Sequence, residues 1–216
     1  MASAESEGVI PMRFLDRALL GLATFFPIPF VKTSLYRMSG ARIGRNVYFS
    51  PNVVLHCTNM KLSRIENNCS LGLGAWISCK SIEMLDGVKI AGGACIVGKE
   101  RVALGNGVYI GHNALLDCWD AIVLEDHVQV GPGAMILTHD SSGHYIRGEK
   151  ILSGPSTIRE NAYIGAGAIV LPGIEIGRCA IVAAGAVVTK NVPPGSTVVG
   201  CPARPRATLQ TGQEVK

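Results

Sequence analysis

The chain has 216 residues, enough for one domain with short appendages. It is 48% hydrophobic but only 6% aromatic, with 26 glycines, which favours a thin core of Ile, Val and Ala over a globular core built on large rings. The net charge of +4 comes without a long Lys/Arg run, which argues against a nucleic-acid surface. The seven cysteines (Cys57, Cys69, Cys79, Cys95, Cys118, Cys179 and Cys201) form no CxxC pair, so they read as reduced thiols of a cytosolic protein and not as a disulfide framework.

In chain order, residues 1–8 form a polar tail expected to be disordered. Residues 11–38 are more apolar. Their longest charge-free run, Ala18 to Val31, is broken by Pro27 and Pro29 and is too short to span a bilayer. No small-residue cleavage site follows it, so a signal peptide is rejected. Two readings of this stretch stand together. It is a helical cap on the open end of a repeat array, or an interfacial helix with Arg13, Arg17, Lys32 and Arg37 near lipid headgroups.

A six-residue period begins at Ile43. Coil starts fall at Ile43, Ile65, Met84, Leu104 and Leu124, followed by second hexads at Phe49, Leu71, Ile90, Ile110 and Val130. The third hexads (LHCTNM, ISCKSI, IVGKER, LDCWDA, ILTHDS) are irregular, so one edge of the expected triangular prism is less regular than the others. From Ile158 to Pro193 the hexads run without a break, each opening on Ile or Val and carrying a small or aliphatic residue in fifth place. This period fits neither an amphipathic helix nor an alternating strand and is the mark of a parallel β-helix. Between Ile136 and Ile158 sits an insertion, residues 142–157, whose Tyr, His, Arg and Pro argue for function. The expected layout is an N-terminal tail and cap over 1–40, a solenoid over 41–200 and a tail over 201–216.

The segments ILTHD (136–140), AYIGAGAIVLPGIEIG (162–177), AAGAVVTKNVPPG (183–195) and GCPAR (200–204) resemble the hexapeptide-repeat O-acetyltransferases, in particular the galactoside/maltose and colanic-acid groups. The resemblance covers about residues 40–206 and is strongest from 124 onward. It implies an all-β, left-handed parallel β-helix, a homotrimer with its active site between subunits, and acetyl-CoA as co-substrate without a metal. His139, at the irregular edge where the insertion begins, matches the family's catalytic base. An alcohol is a poor nucleophile until its proton leaves, and an imidazole suits that task near neutral pH. The hydroxyl of a sugar or glycan would then attack the thioester directly, with no acyl-enzyme.

Counting along the hexads puts Trp119 beneath His139 and Asp120 beneath Asp140, about 4.8 Å apart. Asp117, then Asp120, then Asn113 are candidates for orienting the acceptor, with solvated turn residues as the alternative. Asp140 is a candidate for holding the imidazole. Tyr163 stands where relatives often carry a Trp that walls the acceptor. The resemblance further implies pantetheine contacts at Ala166, Ala184, Gly185, Thr189 and Lys190, and phosphate contacts at Lys190, Arg204 and Arg206. Ala207 stands near the place of a further family Arg, which Arg206 replaces. Two other classes are weighed. One is a γ-class carbonic anhydrase using His139 and His144, with His112 and His127 on the solenoid. The other is a non-catalytic scaffold. His56 reads as structural. The expected location is cytoplasmic, with a weak membrane-surface contact through residues 11–38.

Overall fold

The computed structural model describes residues 14–26 and 28–206. The expectations for residues 1–8, Arg13, the Arg17 side chain and residues 207–216 lie outside the described residues. The body is an all-β, left-handed parallel β-helix whose three faces are parallel sheets. The first face stacks Ile43, Ile65, Met84, Leu104, Leu124, Ile158 and Ile176 in register, which reproduces the coil starts expected from the hexads. The second stacks Phe49, Leu71, Ile90, Ile110, Val130, Ile164 and Val182. The third stacks Leu55, Ile77, Ile96, Leu116, Ile136, Val170 and Val188. All of these side chains are buried, each stabilising the fold by about 1.5–3 kcal/mol through removal from water.

What turns the chain at the corners is a backbone conformation. Three residues after each first-face aliphatic stands a residue of positive φ: Asn46, Asn68, Gly87, Gly107, His127, Asn161 and Cys179, and Gly195 follows Val192, which bridges to Ile176, in the same way. Three after each second-face aliphatic stand Asn52, Gly74, Gly93, Asn113, Gly133, Gly167 and Gly185, again all of positive φ. Gly and Asn visit this left-handed region at least cost. The third corner lacks the device. Its equivalent places hold Thr58, Lys80, Lys99, Trp119, His139, Gly173 and Asn191, of which only Gly173 has a positive φ. That corner is free to vary in length and shape, which is why the irregular hexads collect there.

Two helices close one end. Helix α1 spans Phe14–Phe25 and α2 spans Pro29–Met38. Tyr36 of α2 is fully buried, with its ring 5.1 Å from that of Phe49 and its hydroxyl donating to the Val53 carbonyl at 3.2 Å. Lys32 and Arg37, which the interfacial reading places near lipid headgroups, both bond to main-chain carbonyls, Lys32 from a buried position and Arg37 from an exposed one. Lys32 is buried, donates from Nζ to the Ser50 carbonyl at 3.0 Å, and has its pKa lowered by desolvation. Arg37 donates from Nη2 to the carbonyls of Ile43 and Gly44, each at 2.8 Å. The segment packs as a cap on this end of the solenoid, to whose carbonyls both basic residues bond, and it leaves Leu22, Ile28, Phe30 and Met38 exposed. No described helix is long and apolar enough to cross a membrane.

At the other end the strand Thr197–Val199 pairs with the final coil, and Arg204–Pro205 folds back antiparallel upon it. The expected boundary at residue 200 cuts through this ribbon. The insertion also ends before its expected limit, because the wall resumes at Ser156, which pairs with Ile122. All seven cysteines are free.

The neighbours Ile96 and Val97 face opposite ways, Ile96 being fully buried and Val97 38% exposed. Ile96→Ala is expected to cost about 2–5 kcal/mol of unfolding free energy, and Val97→Ala about 0.5 kcal/mol or less. Denaturant titration of the two variants compares them.

Candidate active site

The strand Met135–Leu137 ends at the third corner, where Thr138 is drawn inside. Thr138 Oγ1 donates to the Asp117 carbonyl at 2.7 Å and accepts from the Asp120 N–H at 2.9 Å. One hydroxyl thus ties the turn of one coil to the turn of the next. His139–Asp140 then leaves the wall as half of a small antiparallel ribbon with Leu152–Ser153, and helix α3 (Ser142–Arg147) turns the chain between them.

His139 emerges directly over the previous coil. Its ring stacks on that of Trp119, with centroids 4.7 Å apart and planes 23° apart. Its Nδ1 lies 3.0 Å from Asp117 Oδ2, and both side chains are largely shielded, at 23% and 21% exposure. Asp117 points outward because Leu116 and Cys118 on either side of it point into the core. The Nδ1 atom is out of contact with solvent, and the carboxylate lies off the line of an ideal ring N–H bond. The pair is therefore a close polar contact that a small ring rotation would align, as catalytic pairs often do only when substrate is present.

Asp140, expected as a partner of the imidazole, is engaged elsewhere. Its Oδ1 accepts the Ser142 N–H at 2.8 Å, a bond that holds its carboxyl below the usual range and starts α3. Asp117 occupies the place that Asp140 was expected to fill. Asp120 is half-buried at the same corner, where its main chain is fixed by Thr138.

Asn113 is elsewhere. It is a left-handed residue of the second corner, with φ 56°, and the strand Leu115–Cys118 separates it from His139. Its place in the turn is explained by that φ. Tyr163 is exposed on the second face, in register with Gln129 and Ile181, and is not beside His139 within one chain.

The residues expected at the cofactor fall into three places. Ala166, Ala184 and Gly185 are exposed at the second corner, where Gly185 N–H donates to the Ala166 carbonyl at 2.9 Å. Thr189 and Lys190 are exposed at the third corner, on the same edge as His139 but further along the axis. Arg204 and Arg206 are exposed on the terminal ribbon, with the Arg206 N–H bonded to the Thr197 carbonyl. Small residues at the second corner leave the backbone approachable by a slender ligand. Two grooves among the described residues lie away from these groups. One of about 420 Å³ on the first face is lined by Leu85, Ala103, Val123, Glu125 and Glu160, and one of about 580 Å³ lies beside the cap at Arg37, Arg42 and Arg64.

Among the described residues no three His, Cys, Asp or Glu side chains gather as a metal nest. His144 sits on α3, with Nδ1 2.9 Å from the Glu149 carbonyl oxygen. His127 is a left-handed corner residue. Thr138 and the stacking role of Trp119 were not assigned from sequence. The register alone gives the position of Trp119, and nothing in the sequence reports the side-chain plane.

The fold and this corner define a hexapeptide-repeat protein with a histidine–carboxylate pair at its irregular edge. Residues 155–190 match the family model described as bacterial transferase hexapeptide (six repeats). The chain is 35% identical over 107 residues to the galactoside O-acetyltransferase of Lactococcus lactis, covering 49% of this chain and 52% of that one. It is 32% identical over 108 residues to the galactoside O-acetyltransferase of Escherichia coli, covering 46% and 53%. The chain thus spans about half the length of these curated relatives. Among solved structures, AntD, an N-acyltransferase from Bacillus cereus solved with dTDP and 3-hydroxybutyryl-CoA, shares the fold with a TM-score of 0.59 at 18% identity, over 85% of this chain and 88% of that one.

Thr138→Val keeps the shape of the side chain and removes both of its hydrogen bonds. It is expected to lower stability by roughly 1–3 kcal/mol by leaving the Asp120 N–H and the Asp117 carbonyl without that partner, read as a fall in Tm by calorimetry.

Proposed function

We propose that the protein is an O-acetyltransferase that moves acetyl from acetyl-CoA to a hydroxyl of a sugar or glycan precursor. The observation that carries this reading is the pair His139 and Asp117, 3.0 Å apart at the irregular corner. It is supported by the galactoside O-acetyltransferases to which the chain is similar and by the CoA ligand of the structural neighbour.

In this mechanism Asp117 holds the His139 Nδ1–H, which leaves Nε2 as the free basic nitrogen. The acceptor hydroxyl gives its proton to Nε2 as its oxygen attacks the acetyl carbonyl. The tetrahedral intermediate then expels the CoA thiolate, and the imidazolium returns the proton to the sulfur. One C–O bond forms, one C–S bond breaks, and the products are the acetyl ester and free CoA. Asp117 stabilises the imidazolium during the interval, as the third group of a base-orienting set. No covalent acetyl-enzyme is formed.

Acetyl-CoA would lie with its pantetheine arm on the Ala166, Ala184 and Gly185 corner and its phosphates near Lys190, Arg204 and Arg206, where the guanidinium forks suit phosphate. Within one chain that corner and His139 are on opposite margins of the third face. From Gly185 to Thr189 the span is at most about 14 Å of extended chain. A groove that needs both margins would be completed by a neighbouring copy, which we take to be part of the homotrimer that the resemblance to the hexapeptide-repeat acetyltransferases implies, with its sites between subunits and with Tyr163 and Asn113 meeting the acceptor from the neighbour. Seven cysteines without a disulfide framework support a cytoplasmic location as part of this reading.

Thiol release from acetyl-CoA is to be followed with a panel of galactosides, maltose and nucleotide sugars. His139→Ala is expected to lower kcat by roughly 10²–10⁴-fold, and unchanged turnover would end the base assignment. Arg204→Ala is expected to raise KM for acetyl-CoA about tenfold or less with little change in kcat, the pattern of a lost uniform binding contact. The same initial-rate series in acetyl-CoA shows whether KM or kcat moves.

A further inference from the structure

We propose that Trp119 is a positioning residue for the catalytic imidazole, held in place in turn by Lys99, so that three successive coils build one stacked column ending at the base. This rests on the reading of His139 as that base.

Asp117 alone under-determines the ring. A carboxylate at Nδ1 fixes one point of the imidazole, and the ring can still tilt about the line joining Nδ1 to the carboxylate. The indole of Trp119, 4.7 Å below and within 23° of parallel, removes that freedom. The stack restrains the ring perpendicular to its plane, which the single close contact at Nδ1 does not. Together they leave the Nε2 edge as the part of the ring not used for support.

The indole has its own support. Lys99 Nζ lies 3.6 Å from the centroid of the Trp119 ring, at cation–π distance. His139 and Lys99 therefore both contact the half-buried indole. The main chain aims Lys99. The N–H groups of Lys99 and Glu100 both donate to the Cys118 carbonyl, at 3.1 and 3.0 Å, so the corner is bent around that oxygen. Gly98 makes the approach feasible, since a Cβ there would lie 2.3 Å from the same carbonyl oxygen. Lys99, Trp119 and His139 hold the same place in three consecutive coils, twenty residues apart, because Cys118 pairs with Gly98 and Asp117 with Leu137. The repeat thereby supplies the alignment that a loop-borne histidine would otherwise lack.

The test uses Trp119→Phe, which keeps an aromatic face, and Trp119→Leu, which does not, each as the full chain. With the sugar acceptor that supports turnover, Trp119→Leu is expected to lower kcat about tenfold with KM for acetyl-CoA within about twofold, whereas Trp119→Phe stays within about threefold of the parent. Trp119→Leu at the parental kcat, or Phe and Leu falling together, overturns the proposal.

A second reading needs no turnover. The only other tryptophan is Trp76, so a Trp76→Phe background leaves Trp119 as the sole indole. The imidazole stacked on the indole shields one of its faces from water, so His139→Gln in this background is expected to shift the Trp119 emission to longer wavelength. An emission maximum unchanged by His139→Gln overturns the stacked column. A His139→Gln enzyme at full rate removes the base assignment, and with it the role of Trp119. A Trp119→Leu enzyme at full rate beside an inactive His139→Gln overturns the positioning role alone.

Discussion

The structure depends on a steric constraint at two of its three corners. A chain that closes each coil in about eighteen residues must reverse direction within a few residues, and here it does so by placing one residue per corner in the left-handed region. Column after column is Gly or Asn, with His127 and Cys179 as the exceptions. Those residues tolerate the conformation at least cost. With two corners fixed in this way, the aliphatic at the end of each strand is carried inward at every turn, and the core becomes three continuous ladders of Ile, Val, Leu and Met. Tight contact between coils follows. A Cβ at Gly165 would lie 2.4 Å from the Ala184 nitrogen, so that corner has no room for one.

The third corner is where the constraint is absent, and the candidate chemistry collects there. Only the regular coil that ends at Ile176 places a glycine of positive φ at that corner, Gly173. In the coils before it the same place carries Lys99, Trp119 and His139, and the chain takes one or two extra residues or, after His139, a whole excursion with its own helix. A corner not bound to a left-handed residue can carry any side chain, and parallel pairing keeps those side chains in axial register. The result is a flexible choice of residue on a rigid frame, which is what a proton-transfer site requires.

Much of this was legible in the sequence, because the six-residue period reports the core directly. Each coil start placed by counting, from Ile43 through Leu124, pairs with its expected neighbour. The counting also put Trp119 under His139. What the count could not supply was side-chain direction. Asp117 and Asp140 are both near His139 in sequence register, yet Asp140 is committed to the Ser142 N–H and Asp117 reaches the ring. The sequence left Lys32 and Arg37 open between a cap and an interfacial helix, because their charge is visible in it and the carbonyls that bind them are not. Asn113 read as a polar candidate for the acceptor, and within one chain it stands at the second corner, away from His139. The insertion was expected over 142–157, whereas the chain already leaves the wall at His139 and rejoins it at Ser156; Ser156 and Thr157 carry no hexad signature although they belong to the wall.

The account turns on His139 acting as the base. The most direct measurement is chemical rescue of a His139→Gly variant by free imidazole, with acetyl transfer to the sugar acceptor followed by mass spectrometry. A variant that is slow alone and accelerates in proportion to added imidazole is the predicted result. A variant as fast as the parent, or one indifferent to imidazole while still binding acetyl-CoA, would contradict it.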